Sequence, residues 1–311
     1  MKQYIARRIL LAIPMLLVVT FISFGLIHLI PSDPVEVALR VNEIIPTDEA
    51  IAIMREELGL DQPFFTRYAS WLKQIARFDF GQSYINKNRS VSGEILRSLP
   101  ATLKLAGMSF MIVVGVSIPL GIICAVYKDR LIDRAMRIFI FVATAVPNYW
   151  MGILLIWLFA VKLKILPTGG NQQSGAIILP AVTLSLTYIA TYMRLIRNSM
   201  LENLTENYVY YARTRGLKEK SIIGRHVLKN SLHESIAALG MSVAQLISGT
   251  VVVENIFSWP GIGRLCISAI FNRDYPVIQA YILMMGVLFI LCNLLADITQ
   301  AMLDPRLQEV K

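Results

Sequence analysis

Two stretches hold the residues whose types and spacing could act. The first is residues 208–231, YVYYARTRGLKEKSIIGRHVLKNS. It carries Arg213, Arg215, Lys218, Lys220, Arg225 and Lys229 against one acid, Glu219. Ala212 and Gly216 stand four positions apart, and on a helix such positions share a face. Two small side chains there predict a notch that another protein's surface can approach closely. Gly216 also suits a helix end, because glycine accepts positive φ at no steric cost. Residues 217–223 and 227–228 supply the apolar face of a second short helix. The stretch reads as helix, Gly turn, helix: basic and shaped to dock.

The second stretch is an apolar run that carries Gln245, Ser248, Thr250 and Glu254. Polar groups lining a route through lipid face the bundle interior. The spacing puts Gln245 and Ser248 together on one face most readily. Glu254, at the end of the run, would attract a cationic or metal-bearing solute, or would pair with Arg264 or Arg273; the spacing leaves both open. Beyond it, Trp259, Pro260 and Gly261 form a turn signal, residues 264–271 a short helix, and Asp274 and Tyr275 a second turn. So many aromatics and turns predict a cap over something, or a hairpin at the membrane interface anchored by Trp259 and Tyr275.

Catalytic patterns are missing. The chain has no phosphate-cradling G-x-x-x-x-G-K-[ST], no HExxH and no Ser/His/Asp set, and His28, His226 and His233 are far apart. Cys124, Cys266 and Cys292 are scattered singly, without the spacing of a metal site. The expectation is a non-enzyme that binds no metal and no cofactor of its own.

The elements that position these residues are membrane spans. Of the 311 residues 55% are hydrophobic and only 16% charged, and mean hydropathy is +0.57, too apolar for a soluble domain of this size. A bilayer core of about 30 Å needs roughly 20 apolar residues. Runs at 9–30, 105–127, 138–161, 176–193, 235–253 and 275–296 meet or approach that, giving six helical spans. Lys2, Arg7 and Arg8 precede the first run, which is too long for a cleaved signal and is read as retained. With both termini in the cytoplasm, the cytoplasmic segments hold nine more basic residues than acids, the whole net charge of +9. That is the positive-inside pattern, not a nucleic-acid footprint. The docking stretch then lies inside the cell.

Residues 31–99 fall outside. Thr47, Asp48 and Glu49 signal a helix start and Gly59 a stop, with Ile51, Met54 and Leu58 as its apolar stripe. Phe64, Tyr68, Trp71, Leu72 and Ile75 follow at amphipathic helical spacing. These predict a small helical subdomain whose aromatics are its core. Ionisable groups are nearly absent from the spans: Asp297 lies near an inner end, Lys104 and Glu254 at outer ends. Ion-coupled carriers bury an ionisable relay mid-span, so this chain reads as a pathway without its own energy source.

The motifs LGLDQP (58–63), FDFGQSY (78–84), LPATLKL (99–105), VPNYW (146–150), YARTRGL (211–217), IFSWPGIGR (256–264), FNRDYPVIQ (271–279) and LDPRL (303–307) together resemble the dipeptide/oligopeptide/nickel permease family of bacterial ABC importers, first-subunit type. The resemblance covers nearly the whole chain and is nearer the nickel and metallophore branch, with a peptide importer as the alternative. It implies an all-α membrane protein: span 1–30, extracytoplasmic helical subdomain 31–99, and permease core 100–311 with a coupling loop over 197–234. Tyr211, Ala212, Arg213, Arg215, Gly216 and Leu217 are then the residues that meet an ATPase. The implied partners are a second homologous permease, two ATPases that use ATP and Mg, and an extracytoplasmic substrate-binding protein, all at the bacterial inner membrane. One departure stands out: His233-Glu234 replace the family's Leu-Pro pair, which puts the bend into the fifth span in question.

Overall fold

The computed structural model describes residues 2–28, 34–41, 44–57, 59–85 and 89–303. Leu58 and the LDPRL motif beyond Leu303 lie outside the described residues, as do the side chains of Lys2, Arg7, Arg8, His233 and Glu234. In chain order the helices are α1 (Lys2–His28), α2 (Pro34–Val41), α3 (Asp48–Glu57), α4 (Phe64–Ile75), α5 (Val91–Val126), α6 (Leu131–Ala145), α7 (Asn148–Leu155), α8 (Ile178–Leu204), α9 (Asn207–Thr214), α10 (Glu219–Ser221), α11 (Leu228–Ile256), α12 (Ile262–Asn272) and α13 (Tyr275–Leu303). Wider π turns follow α7 (Ile156–Lys162) and α10 (Ile222–Val227). Among the described residues the only β pairing is an isolated bridge between Gln82 and Ser90.

Among the described residues, four helical stretches are long and apolar enough to cross a membrane: Val91–Val126, Ile178–Leu204, Ala238–Ile256 and Tyr275–Thr299. A fifth candidate is not the continuous helix expected over 138–161. It is the pair α6 and α7–Lys162, bent by 108°. The break has a local cause. Val146 precedes Pro147 and takes extended angles (φ −85°, ψ 125°), because the proline ring crowds the α conformation of the residue before it. Pro147 then caps α7. Pro14, in contrast, sits inside α1, whose described apolar stretch Leu10–Leu26 is shorter than those of the other spans. At the family's bend position the backbone stays helical, since α11 runs unbroken through 233–234.

The chain forms two compact units. One comprises residues 1–102 and 260–290, the other 103–259 and 291–311. In the first, α4 packs its aromatic stripe on α1. Phe24 meets Phe64, Tyr68 and Trp71 at ring distances of 5.3, 5.4 and 5.8 Å, and Phe21 adds edge contacts to Phe64 and Tyr68. Such pairs each add about 0.5–1.5 kcal/mol beyond their buried area; the aromatics pack against α1 rather than forming a core within residues 31–99, and no residue of α4 is fully buried. The Tyr68 hydroxyl donates to the Leu17 carbonyl at 3.1 Å. Gly59 ends α3 at φ 62°. Helix α2 had no place in the sequence reading; Val35 and Leu39 bury its apolar side against Met54. A second core joins Val91 and Ile95 to Ala269, Val277 and Ala280.

The second unit is built around α8, which packs against α6, α7 and α11. It runs well past the expected end at 193, carrying buried Ile196 and Met200 onward. Gly121 of α5 lies so close to α8 that a Cβ would stand 2.9 Å from Ile196. At the start of α6, Asp133 is fully buried and holds Arg197 of α8 in a two-pronged bridge, Nε–Oδ1 2.7 Å and Nη2–Oδ2 2.8 Å. The Asp129 backbone N–H also donates to Asp133 at 3.0 Å.

Candidate functional site

The docking stretch folds as helix, Gly turn, helix, but its outward face differs from the one expected. Helix α9 stops at Thr214, and Arg215 follows as its cap. Gly216 sits at φ 76°, beyond the helix, so it shares no helical face with Ala212. Two bonds close the end: Gly216 N–H to the Arg213 carbonyl at 2.9 Å, and Leu217 N–H to the Ala212 carbonyl at 3.2 Å. This is the paired closure that satisfies the last helical carbonyls around a left-handed residue. Ala212 points inward, 8% exposed, into a core with Ile196, Met200, Val209, Ile222 and Val227. The expected notch is therefore absent. The small residue serves close packing of α9 on α8, and the exposed side chains are those of Tyr210 (68% exposed), Tyr211 (66%) and Leu217 (44%). The two tyrosine rings meet edge to face at 6.2 Å.

Charge on this stretch is partly internal. Arg213 Nε donates to Glu219 Oε1 at 2.7 Å across the turn, while Arg215 is exposed. The lone acid thus pins the second helix to the first. Leu217 lies in the turn rather than in a helix, and α10 continues through the π turn directly into α11. The segment thus follows α8 after a short turn and runs on into α11.

The pathway candidates on α11 divide. Gln245 and Ser248 are exposed, on a stripe with Met241 and Val252; the steps of four, three and four follow one helical face. Thr250 is 1% exposed, its hydroxyl given to the Ile247 carbonyl at 2.8 Å. Glu254 is fully buried and partnered. As placed here, its carboxylate is enclosed by the chain and does not stand open at a mouth. The expected two-to-four spacing already separated these residues; which side faced inward was not readable.

The loop residues are buried as well. Trp259 is 3% exposed, its N–H bonded to the Glu254 carbonyl at 2.8 Å. Gly261 caps α12, Pro260 precedes it half-buried, and the first helical N–H, on Ile262, is taken by the Thr102 hydroxyl at 2.9 Å. Tyr275 is 8% exposed. Neither aromatic stands open as an interfacial anchor.

Asp274 has a role the sequence hid. It is 3% exposed and receives the Ser83 hydroxyl at 2.5 Å and the Tyr84 backbone N–H at 3.1 Å. The FDFGQSY segment is thereby clamped onto the turn between α12 and α13, some 190 positions away. Burial pushes the Asp274 carboxyl above its ordinary range, opposed by the hydrogen bonds from Ser83 and from backbone amides. Burial likewise pushes the Tyr84 phenol up to about 12, with Arg67 opposing. No group of three or more His, Cys, Asp or Glu is arranged to hold a metal ion among the described residues.

Comparison with known proteins fits this geometry. Residues 117–309 match the family described as binding-protein-dependent transport system inner membrane component, and residues 1–106 match its N-terminal membrane component. The metal-staphylopine import system permease protein CntB of Staphylococcus aureus is 40% identical over 310 residues, 99% of each chain. The oligopeptide transport system permease protein AppB of Bacillus subtilis is 36% identical over 318 residues, covering 99% of this chain and all of its own. Among solved structures, the MetNI methionine ABC transporter in inward-facing conformations matches with a TM-score of 0.58 at 16% identity, over 68% of this chain and 96% of that one, a likeness of fold. The chain belongs to the family of binding-protein-dependent transport system inner membrane components: it is a permease subunit of an ABC importer, with ATP hydrolysis left to separate subunits.

Proposed function

We propose that this permease carries a metal–chelate complex inward and that segment 204–231 is where an ATPase pushes. One observation carries the coupling role. Tyr210 and Tyr211 stand exposed on a short helix, and Leu217 in the turn after it; the helix's other face, through Val209 and Ala212, is locked into the core of α8 and the π turn before α11. Force on that helix has no slack to take up and moves both long helices. On this reading both termini and the segment are cytoplasmic, α1 is the sixth span, and residues 31–99 form the extracytoplasmic subdomain between span 1–30 and core 100–311. A second permease completes the pathway, two ATPases using ATP and Mg drive it, and a binding protein delivers solute to the outer face. Gln245 and Ser248 are the better pathway residues, since Thr250 and Glu254 are turned inward.

The metal–chelate substrate is supported by the full-length likeness to a metal-staphylopine permease at 40% identity. A peptide substrate is the second reading, supported by the oligopeptide permease at 36%. The test pairs two variants with two solutes. Tyr211→Ser with Leu217→Ser should abolish ATPase association and uptake while the chain remains in the membrane at normal level. Cells carrying the intact importer should accumulate a chelated metal and not a labelled dipeptide. Normal ATPase association in the double variant ends the coupling reading, and dipeptide uptake alone ends the metal reading.

A further inference from the structure

In the second unit, the turn from α5 into α6 gathers Lys128, Arg130, Arg134 and Arg137, all of them exposed. The acids beside them are already committed. Asp133 is buried and holds Arg197, and Asp129 pairs with Arg137 at 3.3 Å. Arg137 is thereby answered, whereas Lys128, Arg130 and Arg134 form no ion pair among the described residues. Local helix physics gives no reason for these charges. The start of a helix favours acids over bases, and like charges three or four positions apart repel. Arg130 stands at the N-terminal cap of α6 without a side-chain bond to it.

The face that these cations head is apolar. Leu131 is 84% exposed, Ile138 66% and Val142 44%, at steps of seven and four that keep to one helical face. Arg134 stands on that face between Leu131 and Ile138, and exposed Phe141 lies at its edge. The charged end is fixed in place. Asp129 takes φ 61°, its N–H donates to Asp133 at 3.0 Å, and the Arg130 guanidinium lies over the Tyr127 ring, 5.4 Å from its centre. Through Asp133 and Arg197 the turn is anchored to α8. Unanswered cations above a bare apolar stripe match the two halves of a phospholipid, an anionic phosphate and its acyl chains.

We propose that this turn is a binding site for an anionic phospholipid, its phosphate taken by Arg130 and Arg134 beside Lys128, and an acyl chain laid along Leu131, Ile138 and Val142. Charge complementarity selects this occupant. A zwitterionic lipid brings a cation of its own to a place that already holds three unanswered ones. Bound there, the anionic lipid relieves the repulsion between Arg130 and Arg134 and steadies the end of α6 that Asp133 ties to α8. The reading of this turn as cytoplasmic decides only which leaflet supplies the lipid.

The experiment takes the assembled importer in detergent, adds dioleoylphosphatidylglycerol or dioleoylphosphatidylcholine, and measures retained lipid by native mass spectrometry. Phosphatidylglycerol should bind about tenfold or more tighter than phosphatidylcholine. Arg130→Gln and Arg134→Gln should each weaken it roughly fivefold, the scale of one basic side chain at an anionic surface, and together erase the preference. Arg134→Gln gives up no ion pair or ring contact, so without lipid it should melt as wild type does. Phosphatidylglycerol should then raise the melting temperature of wild type more than that of the variant, which separates loss of binding from loss of fold. Lys162→Gln with Lys164→Gln removes two other exposed cations of the same unit and should leave binding unchanged. Equal retention of the two lipids overturns the proposal, and is the result if a second permease covers this face. An unchanged preference in the double arginine variant overturns it too, as does an equal loss in the lysine variant, the sign of diffuse adsorption. Displacement of the lipid by inorganic phosphate marks a site for soluble anions and overturns the lipid assignment. The measurement needs neither sidedness nor uptake, so its failure leaves the import reading standing, and failure of the import reading leaves the lipid site.

Discussion

Replacing Asp133 by Ala removes the carboxylate that ties the start of α6 to α8. Asp133 is fully buried and the Arg197 side chain only 13% exposed, so the guanidinium stays behind in a poorly hydrated place. Removing one partner of such a pair costs about 3–5 kcal/mol, chiefly the penalty of the uncompensated charge. Arg137, 3.5 Å from the same carboxylate but 46% exposed, adds at most about 1 kcal/mol. The Asp129 N–H also loses its acceptor. At roughly 2–4 °C per kcal/mol for a unit of 150–250 residues, the melting temperature of the purified chain in detergent should fall by about 6–20 °C. Uptake should fall with it, because α8 continues toward the docking segment. Adding Arg197→Met to Asp133→Ala removes both charges at once, and most of the loss should return. A single variant within about 1 kcal/mol of wild type would refute the argument. So would a double variant no better than the single, since the cost would then lie in packing and not in an orphaned charge.

Gly216→Ala should weaken ATPase association and uptake. A Cβ there meets no atom within 4 Å, so the effect is conformational, about 1–2 kcal/mol for an L side chain in the left-handed region. Gly216→Asn should recover part of it, and equal behaviour of Ala, Asn and Gly in a pull-down excludes the strain account. Asp274 makes the 79–95 region pH-dependent in a defined direction. Its folded pKa lies above the ordinary 3.8, so the folded state holds the proton more tightly. Its contribution to stability is present in full below 3.8 and is lost as pH rises through the folded value. Amide exchange in this region should be slower below pH 3.8 than near neutral pH, after correction for intrinsic rates, and Asp274→Asn should flatten that dependence; a steeper dependence in the variant contradicts the assignment.

The sequence determined by itself what depends on short-range pattern. Runs of apolar residues long enough for lipid marked most spans, because the bilayer sets a length and forces every backbone group into a helix. Gly216 was legible as a left-handed helix end, and Phe64, Tyr68 and Trp71 as one packed stripe, because both follow from local backbone sterics and the 3.6-residue period. The lack of a mid-span ionisable relay reads as a pathway without its own energy source, and the resemblance of the motifs to the permease family implied separate subunits that supply it. What only the tertiary structure decided is which way each face turns. Ala212 looked like an outward notch and is a core residue, since helix α9 ends before Gly216 and its small side packs on α8. Glu254 reads from its spacing as either a mouth or a structural partner, and it is enclosed and partnered. Asp274 meets Ser83, and Asp133 meets Arg197, at separations of 191 and 64 positions. Chain periodicity carries no information about such distant partners; a buried carboxylate finds its donors only once the helices have assembled around it.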